Sequence, residues 1–292
     1  MKRMLGVLAA AAITCSCGGG PTRPDPPPGG GGGGAAMLTG AGDIADCGVP
    51  GSAQTARLLD SMSGALFAAG DNAYPSGSEA NYRQCYDPTW GRHKARTRPV
   101  PGNHEYETPG AAAYFTYFGS SAGTPGQGYY SYTLGSWRIF ALNSEIDVRA
   151  SSAQVTWLRG ELSTSNARCT AAIFHRPRFS SGEHGDNPDM GDVWQVLYDN
   201  NADVVISGHD HNYERLAPMD GDGRASSSRG IRQFVVGTGG AVLRAPVRMR
   251  PNSEITGVSW GLISFTLLED GYSWNFVSTG DGFSDSGFDR CH

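Results

Sequence analysis

Five short apolar segments of this chain each end directly in a polar motif. In chain order, these motifs are GDIAD from Gly42, GDNAY from Gly70, GNHE from Gly102, the lone His175, and GHDH from Gly208. Short apolar runs bounded by turn residues predict buried strands. Because ligand sites in α/β sheets lie beyond the carboxyl ends of the strands, the motifs indicate one functional edge.

The pattern between the motifs predicts helices alternating with strands, followed by hairpins. Strands are expected over residues 37–41, 65–69, 170–174, 203–207 and 233–236. Ser52 is expected to cap a helix that carries Ala56, Leu59 and Met62 on one face, and further helices are expected over 152–162 and 189–198. Two hairpins are expected, around residues 135–136 and 270–271. This mixture predicts an α/β domain in which mixed sheets are covered by helices.

The N-terminus is typical of a targeting segment. Lys2 and Arg3 precede an apolar stretch over residues 4–13, which is shorter than the roughly 20 residues of a membrane-spanning helix. We therefore interpret residues 1–17 as a signal peptide. Cys17, with Ser16 before it, and Cys15 resemble the lipid-attachment site of bacterial lipoproteins. An ordinary cleaved signal peptide is the alternative.

Residues 18–36 form a Gly/Pro-rich linker, and residues 37–292 are expected to form one catalytic domain. Export to the periplasm, the cell surface or the medium is expected, with a lipid anchor through Cys17 or Cys15 as one form. The four remaining cysteines suggest two disulfides in an exported chain. Three pairings are open at this point.

The charge of the chain limits the classes of partner that it is expected to bind. The net charge is -5 and the pI is about 5.8, with no basic stripe, so a nucleic-acid partner is not expected. No protein partner is predicted either. An anionic substrate would need local positive charge, which bound metal ions could supply.

The strand-end motifs contain a mixed set of oxygen and nitrogen donors. Each motif alone is weak evidence for a metal site, because a Gly-Asp pair after a strand is usually a turn and a lone His is usually a loop residue. Together they suit iron, zinc or manganese rather than a thiolate zinc site. Two adjacent ions need a bridging carboxylate and private ligands. Seven candidates, one of them bridging, give four ligands per ion: Asp43, Asp71, Tyr74, Asn103, His175, His209 and His211.

The order of these motifs resembles that of the calcineurin-like metallophosphoesterases, from Leu38 to about Gly240. A tyrosine in the second motif, with no histidine in the first, resembles the purple acid phosphatases, and GHDHNYER is especially similar. Ala45 stands where those enzymes usually have glycine. We expect the small single-domain type, because the sequence shows no counterpart of the large N-terminal domain of plant members. The resemblance implies a four-layer sandwich of two mixed β-sheets flanked by helices.

The resemblance also implies a role for each motif residue. Ferric iron would be bound by Asp43, Tyr74 and His211, and Asp71 would bridge to the second ion. That ion, divalent zinc, manganese or iron, would also be bound by Asn103, His175 and His209. His104 and His184 would face the substrate phosphate as catalytic residues. The resemblance further suggests a Cys47–Cys85 disulfide, which leaves Cys169–Cys291.

These roles predict a phosphomonoesterase of the acid phosphatase type, acting on a small phosphorylated substrate. A metal-bound or metal-bridging hydroxide would be the nucleophile. Two alternatives stay open. The same site could serve a phosphodiesterase or nucleotidase, since the motifs fix the chemistry better than the substrate. A non-catalytic surface binding module could also keep the fold.

Overall fold

The computed structural model describes residue 1, residues 35–280 and residues 282–292. Most of the predicted signal peptide, both candidate lipid-attachment cysteines and residues 18–34 of the predicted linker lie outside this range. From residue 35 onward, the described residues belong to one compact unit. None of the helices in the described part of the chain has the length and hydropathy needed to cross a membrane.

Two mixed β-sheets form the centre of the described structure. Their strands are β1 (Ala36–Ala41), β2 (Ala65–Ala69), β3 (Thr97–Val100), β4 (Tyr130–Leu134), β5 (Trp137–Ala141), β6 (Cys169–Ile173), β7 (Val204–Ser207), β8 (Tyr213–Leu216), β9 (Arg232–Val236), β10 (Ser253–Gly257), β11 (Gly261–Leu267), β12 (Gly271–Ser278) and β13 (Ser284–Arg290). The six-stranded sheet has the order β13-β12-β11-β1-β2-β3, and the seven-stranded sheet has the order β10-β8-β9-β7-β6-β5-β4.

The α-helices of the described residues lie between these strands. They are α1 (Gly51–Leu59), α2 (Glu79–Asn81), α3 (Asn103–Tyr106), α4 (Ala112–Phe118), α5 (Ala153–Thr164) and α6 (Gly191–Asp199). A tighter helical segment, Trp90–Arg96, packs against α1 and β2 beside the six-stranded sheet.

Parallel pairing in the middle of each sheet sets the position of the motifs. Strands β1, β2 and β3 are parallel to one another, and so are β5, β6, β7 and β9. The remaining pairs are antiparallel and lie toward the edges. The carboxyl ends of the parallel strands therefore leave each sheet on one side.

The core lies between the two sheets and under the helices. Phe67 and Phe265 of the six-stranded sheet share one buried cluster with Ile173 and Phe234 of the seven-stranded sheet. On the outer face of the seven-stranded sheet, α5 and α6 bury a second cluster that includes Trp194. This arrangement confirms the predicted α/β class, with two mixed sheets flanked by helices.

The first helix differs from its prediction. It begins at Gly51, directly after Pro50, so Ser52 lies buried inside the helix and does not cap it. Proline favours a helix start because its φ is already restricted to the helical range. The helix ends at Leu59, and Met62 follows it, packed against the core.

Both predicted hairpins are present, as β4–β5 and β11–β12. The sequence patterns did not predict β8, β10 or β13. Strand β13 is a polar edge strand with alternate residues exposed, and its pairing with β12 defines it more than its composition does.

The described residues form two disulfides, Cys47–Cys85 and Cys169–Cys291, which confirms the pairing that the family resemblance suggested. The second joins the start of β6 to the residue after β13. It closes a loop with a sequence separation of 122, against 38 for the first. It therefore ties the chain end to the sheet that carries His175.

Replacing Cys169 and Cys291 together with alanine is expected to lower the free energy of unfolding by about 2 to 4 kcal/mol. The double variant Cys47→Ala/Cys85→Ala should lose less, because a shorter loop restricts the unfolded chain less. Urea unfolding of both variants measures the difference. An unchanged stability for Cys169→Ala/Cys291→Ala would contradict the expectation.

Candidate metal centre

Five loops that leave parallel strands meet above the two sheets. Asp43, Asp71 and Asn103 follow β1, β2 and β3, while His175 and His209 follow β6 and β7. Backbone bonds continue the strand pairing into these loops, for example Asp43 N–H to Gly70 O at 3.0 Å and Gly208 N–H to His175 O at 3.0 Å. The sheets therefore bring the motifs together.

Four side chains form a first donor set. The Tyr74 hydroxyl lies 3.0 Å from Asp43 Oδ1, 3.2 Å from His211 Nε2 and 3.3 Å from Asp71 Oδ2. His211 Nε2 is also 3.3 Å from Asp43 Oδ1. The atoms of this first donor set converge from three separate loops, and all four residues are buried.

A second donor set adjoins the first. His175 Nε2 lies 3.1 Å from Asn103 Oδ1, 3.2 Å from His209 Nδ1 and 3.2 Å from Asp71 Oδ2. Asp71 Oδ2 thus belongs to both sets. The seven predicted ligands form two groups of four that share one carboxylate oxygen.

Backbone donors hold the two carboxylates in place. Asp71 Oδ1 accepts from the backbone N–H of His104, and Asp43 Oδ2 accepts from that of His209, each at 2.8 Å. The other oxygen of each carboxylate is left facing the donor sets. A Cβ at Gly102 would lie 2.3 Å from Asp71 Oδ1, so only glycine allows this approach.

Three of the donor residues have strained backbones. Asp43, Asp71 and His209 have φ values of 57°, 48° and 70°. A non-glycine residue in this region costs about 1 to 3 kcal/mol, and such residues concentrate at functional sites. The fold therefore accepts strain where the side chains must converge.

The ring orientations of two histidines are fixed by carbonyl groups. His175 Nδ1 lies 2.9 Å from Ala69 O, and His211 Nδ1 lies 2.7 Å from Val242 O. A carbonyl only accepts, so each Nδ1 carries a hydrogen and Nε2 faces its donor set. This arrangement is typical of metal-binding histidines.

Glu105, which had no assigned ligand role, is a buried positioning residue. Its carboxylate accepts from the backbone N–H groups of Asn72 and Gly102 at 2.9 and 2.8 Å, and from the Tyr82 hydroxyl at 3.1 Å. Burial and the neighbouring Asp71 raise the pKa of Glu105 to about 8. Glu105 therefore joins the second and third motifs.

The electrostatics of the cluster favour a cation. Burial would lower the pKa of His175, but Asp71 outweighs it and raises that pKa to about 10. Burial would raise the pKa of Asp71, yet His175 and His104 hold it below its usual range. The buried carboxylates thus draw positive charge into the site. Two metal ions would supply that charge, and the donor types suit them.

The two predicted substrate-facing histidines both border the donor sets. The His104 ring lies 4.4 Å from that of Tyr74, and its Nε2 is 3.8 Å from Asp71 Oδ2. The exposed His184 stacks on the His209 ring at 4.1 Å between centroids. Neither ring lies inside a donor set.

Sequence reasoning did not identify three polar residues beside the centre. Asp210 accepts from the backbone N–H of His184 at 2.8 Å and from the Ser180 hydroxyl at 2.5 Å, and so holds the loop that carries His184. Arg176 and Glu145 form an ion pair next to His209. Asp210 stands within the GHDH motif, so its position in the sequence could have indicated a role at the site. No sequence pattern indicates that residues 145 and 176 form a pair.

Comparisons with known proteins agree with this geometry. Residues 37–213 match the family described as calcineurin-like phosphoesterase. An uncharacterized protein of Mycobacterium tuberculosis is 32% identical over 207 residues, covering 55% of this chain and 39% of that protein. Purple acid phosphatase 18 of Arabidopsis thaliana is 29% identical over 224 residues, covering 68% of this chain and 48% of that protein.

A solved structure supports the fold. Purple acid phosphatase PPD1 from yellow lupin superposes with a TM-score of 0.74 at 18% identity, covering 88% of this chain and 54% of that one. The chain thus spans about half, or less, of the length of these relatives.

Proposed function

Because the chain belongs to the calcineurin-like phosphoesterase family, we propose that it is a metal-dependent phosphomonoesterase of the purple acid phosphatase type. A binuclear metal site is expected for this family. The observation that carries the proposal is the pair of donor sets sharing Asp71 Oδ2. A small phosphorylated molecule would be the substrate.

The first donor set would hold ferric iron. Burial and the carboxylates of Asp43 and Asp71 raise the pKa of Tyr74 well above its ordinary value. Ionisation of such a phenol therefore needs a highly charged cation beside it. The second donor set, with an amide oxygen and two imidazoles, suits a divalent zinc, manganese or iron ion.

Bound ions at these two sets would acidify a coordinated water and neutralise charge on the phosphoryl oxygens. The protein positions both sets through the backbone contacts of Asp43 and Asp71. His104 Nδ1 contacts the Pro75 carbonyl, so Nδ1 carries a hydrogen and Nε2 donates only when the ring is cationic. His104 is proposed to donate to a phosphoryl oxygen. His184, which stacks on His209 of the second donor set, would donate to the leaving group.

A phosphodiesterase or nucleotidase on the same site is the alternative, and a non-catalytic surface binding module is a further one. The test is hydrolysis of p-nitrophenyl phosphate and bis(p-nitrophenyl) phosphate by protein purified without chelator, together with metal analysis. Two metal ions per chain and faster monoester cleavage are expected. Faster diester cleavage would favour the alternative, and no cleavage by fully loaded protein would favour the binding module.

Replacing Tyr74 with phenylalanine is expected to abolish a visible absorption band. A phenolate on ferric iron gives a charge-transfer band, and Tyr74 is the hydroxyl in the first donor set. The matched control is Tyr106→Phe, whose hydroxyl accepts from Asn143 and lies outside both sets. A colourless wild-type protein that contains only zinc or manganese would contradict the iron assignment.

We also propose that residues 1–17 direct export and that residues 37–292 are the catalytic domain, joined by the linker. The two disulfides favour an oxidising compartment. Attachment of lipid at Cys17 or Cys15 would be seen in the mass of the mature protein. A mass that fits an unmodified, cleaved chain would contradict the anchor.

A further inference from the structure

Arg176 places a cationic group beside the second donor set. It follows His175 directly, and its Nη1 lies 3.3 Å from His209 Nε2. Its side chain is 32% exposed, so the guanidinium is reachable from solvent. The sequence motifs assign no role to this residue.

Glu145 contacts the guanidinium of Arg176 only through Nε. Arg176 Nε lies 2.9 Å from both carboxylate oxygens of Glu145, whose side chain is 7% exposed. The Ser144 hydroxyl donates to Glu145 Oε1 at 2.8 Å and accepts from the Arg176 backbone N–H at 3.1 Å. This network fixes the stem of the arginine. Among the described residues, Nη2 has no hydrogen-bond partner, since the side-chain contacts of Arg176 are made by Nε and Nη1.

The contact between Nη1 and His209 cannot persist when His209 acts as a ligand. His209 faces the second donor set through Nδ1. A neutral imidazole has one N–H, so ligation through Nδ1 places the hydrogen on Nε2. A guanidinium has only donors, and two donors do not hydrogen-bond to each other. Nη1 then needs another acceptor.

We propose that Arg176 binds a phosphoryl oxygen of the substrate and that Glu145 positions it. The inference rests on the proposed function and deepens it. Phosphoryl oxygens are acceptors that match the planar fork of arginine. His104 lies beside the first donor set and Arg176 beside the second, so these two side chains border the centre at different donor sets.

The positive charge of Arg176 beside the second donor set favours substrates whose phosphoryl group carries more negative charge. The phosphoryl group of a monoester carries up to two negative charges, whereas that of a diester carries one. Arg176 therefore favours monoesters over diesters. Removing it should lower kcat/KM for the monoester more than for the diester.

The experiment compares Arg176→Gln, Arg176→Lys, Glu145→Gln and the double variant Glu145→Gln/Arg176→Gln in the full chain. The double variant avoids leaving the buried Glu145 carboxylate unpaired. The control is Arg138→Gln, which removes the arginine of another partly buried pair, with Glu161, on β5. The measurements are metal content, the Kd of inorganic phosphate by calorimetry, and kcat/KM for p-nitrophenyl phosphate and its diester.

We expect Arg176→Gln and the double variant to weaken phosphate binding about 10- to 100-fold, the value of a hydrogen bond between charged groups. Metal content should not change. Arg176→Lys should recover part of the affinity, and Glu145→Gln should lose less than Arg176→Gln. Arg138→Gln should match the wild type.

Wild-type phosphate affinity in Arg176→Gln would overturn the inference and leave the proposed function intact. Loss of metal from that variant would also overturn it, because Arg176 would then act through His209. An equal loss on both esters would refute the substrate preference. If the loaded wild-type protein neither binds phosphate nor cleaves either ester, the proposed function fails, and this inference fails with it.

Discussion

Replacing Asp71 with asparagine is expected to empty or scramble both metal sites and to abolish hydrolysis. Asp71 Oδ2 is the one atom that both donor sets share, at 3.3 Å from the Tyr74 hydroxyl and 3.2 Å from His175 Nε2. Asparagine keeps the side-chain shape but removes the charge that offsets two cations. The loss of activity should exceed the about 10²- to 10³-fold that loss of one charge-stabilising contact costs.

The matched control is Asp46→Asn. Asp46 lies in the first motif and accepts from the backbone N–H of Gly48, outside both donor sets. Metal stoichiometry and turnover of the two variants are measured side by side. Two metal ions retained per chain in Asp71→Asn would contradict the bridging assignment.

Adjacent substitutions in the third motif are expected to give two different defects. Asn103 presents Oδ1 to the second donor set, 3.1 Å from His175 Nε2. Asn103→Ala should therefore bind the second ion weakly, and added divalent metal should partly restore turnover. The defect is one of affinity, because the other donors of that set remain.

His104→Ala should keep its metal and lose activity. The backbone N–H of His104, which survives the substitution, is what holds Asp71 Oδ1. The side chain faces the centre beside Tyr74, where it would donate to phosphoryl oxygen. Its loss should cost about 10²- to 10³-fold in rate, or up to about 10⁴-fold if it also transfers a proton.

The measurement for both variants is metal content and turnover across a titration with divalent ion. Added metal should raise the rate of Asn103→Ala and leave that of His104→Ala unchanged. Metal loss in His104→Ala with full metal in Asn103→Ala would reverse the two roles. The residue roles inferred from the family resemblance would then be wrong at this motif.

The structure confirms the disulfide pairing that the family resemblance suggested, and it shows how the one departure from the family pattern is accommodated. The disulfide partners lie with Cα atoms 5.1 and 5.5 Å apart. Ala45, the departure from the usual glycine, is buried, and its backbone N–H donates to Asn72 O at 3.0 Å. The alanine side chain is accommodated there, and the loop that carries Asp43 keeps its pairing.

Sequence alone identified the candidate ligands, their order and their attachment to strand ends. These properties are local: an apolar run predicts a strand, and the next few residues name the side chains that leave it. The family resemblance then supplied the expected division into two ligand sets. The α/β class followed from the same local patterns.

Only the tertiary structure decided how the side chains meet. The pairing of Arg176 with Glu145, the position of Glu105 against Asn72, and the edge strand β13 all depend on contacts between residues far apart in the chain. No local pattern encodes such distances, because packing and strand pairing set them. For that reason the donors could be named from the sequence, while the groups that position them and add charge beside them could not.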